Sequence, residues 1–129
     1  MQTRVEFSAS DLFAPPAEAH PHPGRALAQF VGRGLADRGF AVQRLIPEEW
    51  GWVVELENEE FPLWVACRQR GEVAGDFACL VGPSRSLARR GWRSFPAEAT
   101  VERVITALRE LLAATPAVRA VHWFDVEAA

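Results

Sequence analysis

Residues 40–82 hold the pattern that most restricts this chain: apolar and polar side chains alternate through four short runs separated by turn-forming residues. A period of two suits a strand with one buried face and suits no helix, so the runs predict four consecutive antiparallel strands. Turn arithmetic then sets the registers. With Glu59 and Glu60 as a two-residue loop, Asn58 faces Phe61, Leu56 faces Leu63, Val54 faces Val65 and Trp52 faces Cys67. The strand-interior pairs are apolar, whereas a slip of one residue would bring Trp64 and Glu55 among them. Phe40, Val42 and Ile46 are expected on the same inner face from the run before, and Phe77, Cys79 and Val81 from the run after. Trp52, with Trp50 beside it, is placed toward the core, and Trp64 on the opposite side.

The flanks supply a second layer. Leu27, Phe30, Val31 and Leu35 fall at helical spacing and Gly39 is a stop signal, which predicts a helix over 25–38. Gly32 and Gly34 lie inside it, each costing about 1 kcal/mol relative to Ala, and imply a close approach to the sheet or early fraying. Val101, Val104, Ile105, Leu108, Leu111 and Leu112 mark a second helix over 97–114, bracketed by Pro96 and Pro116. Residues 3–8 alternate about Val5 and Phe7 and predict a short edge strand, and 118–124 a last strand. Pro15, Pro16, Pro21 and Pro23 make 14–24 an extended arm. The expected organisation is a strand and arm over 1–24 and one α+β domain over 25–129. That domain is a two-layer sandwich, a mainly antiparallel β-meander with two helices packed on one face. A chain of 129 residues buries roughly two thirds of its unfolded surface, enough for a core without disulfide or metal.

Composition removes several chemistries. All fourteen basic residues are Arg and there is no Tyr, so Schiff-base lysines, the phosphate-gripping lysine of a P-loop and tyrosine acids or nucleophiles are excluded. A net charge of −3 argues against general nucleic-acid binding. No apolar stretch approaches the roughly 20 residues that span a bilayer, and residues 1–7 carry no secretory pattern, which predicts a cytoplasmic protein with reduced cysteines and no membrane partner.

The motifs that resemble active sites each fail on a physical detail. Gly32-Arg33-Gly34-Leu35-Ala36-Asp37 begins like a dinucleotide fingerprint but sits within a predicted helix and ends in Asp37. Gly82-Pro83-Ser84-Arg85-Ser86 lacks the final glycine of a nucleophile elbow. His20, His22 and His122 match no zinc spacing. Cys67 and Cys79 fall opposite one another if the third hairpin centres on Val73, either as a redox pair or as two small core side chains, the reading preferred here. Glu48, Glu49, Glu55, Glu57, Glu59 and Glu60 crowd thirteen residues and are best read as solvating turns and the outer face rather than as a carboxylate pair. No residue is assigned a catalytic, cofactor-binding or metal-binding role, and no cofactor is expected.

Two surfaces stand out. The outer face of the meander is expected to present Val53, Glu55, Trp64, Arg68 and Leu80, an apolar patch rimmed by charge of the kind found at protein contacts, unless the arm covers it. Arg85, Arg89, Arg90 and Arg93, with Trp92 among them, form a basic connector suited to phosphate or an acidic partner, or to balancing the acidic hairpin.

Glu49-Trp50-Gly51-Trp52-Val53-Val54, Phe61-Pro62-Leu63-Trp64-Val65-Ala66-Cys67 and the ending Ala117-Val118-Arg119-Ala120-Val121-His122-Trp123 resemble a group of small bacterial α+β proteins of unknown function. The resemblance spans about residues 25–124, implies the helix, meander, helix order and carries over no functional residue. The element order is also similar to that of secretion chaperones and of toxin-neutralising immunity proteins, a likeness of architecture only. The expected function is a non-enzymatic module binding an unidentified protein partner or a second copy of itself. The alternatives are a small enzyme or ligand-binding domain with its site near Trp50, Trp52 and Arg44, and a weaker nucleic-acid contact through residues 85–93.

Overall fold

The computed structural model describes residues 2–9, 24–71, 75–83 and 97–125. The proline-rich stretch 14–23, His20, His22 and the connector residues Arg85, Arg89, Arg90, Trp92 and Arg93 lie outside these residues. In chain order the elements are β1 (Arg4–Ser8), α1 (Arg25–Ala36), β2 (Val42–Glu48), β3 (Gly51–Leu56), β4 (Leu63–Gln69), β5 (Asp76–Gly82), α2 (Ala97–Ala113) and β6 (Arg119–Phe124). They form an α+β two-layer sandwich whose six-stranded antiparallel sheet has the order β2-β3-β4-β5-β1-β6. No helix among the described residues is long and apolar enough to cross a membrane.

The meander has the expected registers: Trp52 faces Cys67, Val54 faces Val65, Leu56 faces Leu63 and Cys67 faces Cys79. Asn58 closes the β3–β4 turn by donating to the Phe61 carbonyl at 2.9 Å. Two strands depart from expectation. β1 is an interior strand, paired with β5 on one side and β6 on the other. Val5, Phe7 and Ala9 are fully buried there, so the first strand belongs to the core. In β2 the register shifts between Val42 and Arg44, and the extra residue of this bulge reverses which side chains face inward. Leu45, opposite Val54, therefore joins the core, while Ile46 pairs with Val53 on the outer face. Pro47 is tolerated because β2 is a sheet edge.

Both helices lie on the inner face. α1 buries Leu27, Ala28, Val31 and Leu35 against β2, β3 and β4, and α2 covers β5 with Val101, Val104, Ile105, Leu108 and Leu112. α1 ends in a paired hydrogen-bond motif, Phe40 N–H to the Leu35 carbonyl at 2.9 Å and Gly39 N–H to Ala36 at 3.2 Å, with Gly39 at a φ of 95°. The Thr115 hydroxyl closes α2 by donating to the Leu111 carbonyl at 2.7 Å. Arg109 of α2 lies 4.2 Å above the Trp123 ring and ties β6 to the helix layer.

The two helix glycines serve separate contacts. A Cβ on Gly32 would sit 3.4 Å from Val42, an ordinary contact with the sheet, whereas one on Gly34 would collide with the Leu111 side chain where the helices cross. Gly34→Ala is expected to destabilise by about 1–3 kcal/mol through overpacking, despite the helix propensity it gains. Gly32→Ala should change stability by no more than about 1 kcal/mol. Urea unfolding of both variants checks this, and equal effects would contradict the crossing assigned to Gly34.

Candidate functional site

The registers align the outer face in rows that run across the strands. Ile46, Val53, Ala66, Leu80, Arg4 and Phe124 are successive partners from β2 to β6. Beside them run Arg44, Glu55, Trp64 and Gly82 on one side, and Arg68, Ala78, Glu6 and His122 on the other. The first row is apolar but for Arg4, on a face that antiparallel sheets commonly leave to water.

Small and large side chains give this face its shape. Ala66 and Ala78 form a low floor, and the indoles of Trp64 and Trp50 rise beside it, leaving an open concavity of about 600 Å³ that Arg4, Val53, Arg68 and Leu80 also line. The Trp64 ring lies over Gly82, where any Cβ would collide with it, so a glycine in β5 sets the height of that wall. Trp50 reaches the site from the two-residue turn between Glu48 and Gly51 and is 47% exposed.

Of the residues expected to form a partner surface, Val53, Trp64, Arg68 and Leu80 border this concavity. Glu55 shares the face but not the concavity; its carboxylate takes a 2.9 Å bond from the Arg44 guanidinium. Sequence reasoning missed Arg4 and placed Trp50 on the wrong side. The expected edge position of β1 hides Arg4, and Trp50 belongs to the turn and not to the ladder that holds its neighbour Trp52.

The charges around the site are unevenly engaged. Arg4 pairs with Glu6 at 2.6 Å, and Arg70 reaches the same carboxylate at 3.1 Å and Asp76 at 3.9 Å. Ser8 donates to Asp76 at 2.7 Å. The Arg68 side chain, by contrast, has no hydrogen bond, ion pair or ring contact among the described residues.

The expected alternative site near Trp50, Trp52 and Arg44 does not assemble. Trp52 is core, 7% exposed, with Arg25 at 6.0 Å over its ring. Trp50 lies across the sheet from it, and Arg44 is an edge residue whose side chain is 66% exposed. A second concavity, about 880 Å³, lies where α1 ends beside α2. Its walls mix Arg38 and Arg103 with Glu57, Glu102 and Glu110, and Arg38 is engaged by Glu110 at 3.8 Å and by the Gly34 carbonyl at 3.1 Å. Gly32 and Gly34 are packing residues inside α1. His122 is exposed on β6, and no group of three His, Cys, Asp or Glu side chains converges among the described residues.

Cys67 and Cys79 are buried free thiols with their sulfurs 3.8 Å apart. The sulfur contact with Cys79, burial, and the charge of a Cys79 thiolate all push the Cys67 thiol well above its ordinary value. Scans of family models, of curated proteins and of solved structures each return no match to this chain.

Because the chain lacks Lys and Tyr, no lysine or tyrosine ionisation overlaps the alkaline range in which a free thiol loses its proton. The unfolded chain loses the Cys67 proton at about pH 9, where a free thiol ionises, while the folded chain retains it to higher pH. Stability should therefore be flat below that value and fall as pH rises above it. Cys67→Ala is expected to flatten the decline. Urea midpoints between pH 7.5 and 10.5 test this, and identical slopes in the two proteins would contradict the assignment.

Proposed function

We propose that this chain is a non-enzymatic module that binds a protein partner through the outer face of its sheet. One observation supports the reading above all: an apolar row and a concavity walled by two tryptophans occupy the sheet face opposite the helices. Exposed aromatic rings with arginine at the rim are the composition enriched where proteins bind tightly. The reading includes a reducing, cytoplasmic setting, supported by the use of both cysteines as buried thiols. A small-ligand site is the second reading, favoured by the concavity's volume, which lies within the roughly 300–1,000 Å³ of ligand pockets.

The test places a photo-crosslinking phenylalanine derivative at Trp50 and, as a control, at Glu102 on the exposed side of α2. In cells, crosslinks to one protein, or to a second copy of this chain, are expected from position 50 and not from 102. Trp64→Glu should abolish them while the isolated domain keeps its far-ultraviolet dichroism. Crosslinks arising only from 102 would exclude the sheet face as the contact.

A further inference from the structure

Resting on the module reading above, we infer that the outer face selects an acidic, apolar peptide segment of its partner, with Arg68 as the residue that recognises a carboxylate. Length argues for a peptide. The apolar row crosses six strands, from Ile46 to Phe124, so it extends about 24 Å at the usual strand spacing. That matches about seven residues of extended chain at about 3.3 Å each. A small metabolite fills only the part between Trp50 and Trp64, leaving Ile46 and the 41%-exposed Phe124 uncovered. Arg4 does not interrupt the row electrostatically, because its guanidinium is committed to Glu6 and its stem contributes apolar surface.

Charge argues for acid. Of the carboxylates near it in the strand ladder, Glu6 and Asp76 are held by arginines and Glu48, on the far side of Gly51, is engaged in an interaction of its own, while Arg68 stands across from the uncharged Ala78. A carboxylate arriving beside Arg68 meets a guanidinium with no competing partner among the described residues, and the half-buried setting strengthens the charge-assisted bond. The protein as a whole carries −3, which by itself favours basic partners. The groove therefore reverses locally the preference that the overall charge would impose, and such reversal confers specificity.

The test uses three capped heptapeptides, Leu-X-Val-X-Leu-X-Val with X as Glu, Gln or Lys, and sodium decanoate, titrated against the full chain by its tryptophan fluorescence. The Glu peptide is expected to bind about tenfold more tightly than the Gln peptide, the effect of one charge-assisted contact, with the Lys peptide weakest. Arg68→Glu should reverse the order of Glu and Lys, and Arg68→Lys should preserve it. Arg68 is half-exposed, so both variants are expected to fold, with dichroism as the check. Equal binding of all three peptides, or tighter binding of the Lys peptide, overturns the inference while the module reading stands. Decanoate binding as tightly as the Glu peptide assigns the groove to a small amphiphile and also overturns it. If no peptide binds, the inference falls, and the crosslinks from position 50 decide whether the module reading falls with it.

Discussion

The insertion of β1 between β5 and β6 is the pairing on which the rest of the architecture depends. Val5 and Phe7 enter the inner face between Cys79 and Trp123 and beside Phe77, whose ring centre is 6.0 Å from that of Phe7. Without them β6 has no strand to join. The same insertion carries Arg4 and Glu6 to the outer face, where Arg4 joins Leu80 to Phe124 in the apolar row and Glu6 lies in the row beside it. One pairing thus completes both the core and the candidate site.

Parity explains why a buried face and a binding face share the same strands. Successive side chains point to opposite sides, so the alternation that sends Val54, Val65 and Val81 to the helices leaves Val53, Ala66 and Leu80 on the far side. Most antiparallel sheets place polar residues at those positions. Here they are aliphatic or alanine, and the difference in size between the alanines and the flanking indoles turns a flat face into a concave one.

The cysteine pair belongs to the other side of that division. Cys67 and Cys79 lie in the inner row with Trp52 and Val5, and their neighbours are apolar. The contact with the Cys79 sulfur, together with burial, keeps Cys67 a thiol, the opposite of what a nucleophilic cysteine requires. Their contribution is to packing.

The sequence by itself determined the period-two runs, the two helical stripes and the β3–β4–β5 registers. Each follows from interactions among residues close along the chain, namely side-chain alternation and the length of a turn. Val53, Trp64, Arg68 and Leu80 were readable as one face for the same reason. Only the tertiary structure decided that β1 is interior, that the bulge after Val42 sends Leu45 inward and Ile46 outward, and that Trp50 stands across the sheet from Trp52. An alternating strand has the same pattern at an edge as in the middle, and a bulge leaves no mark in composition. These choices are made by contacts such as Arg4 opposite Phe124, whose energy is gained only when distant parts of the chain meet.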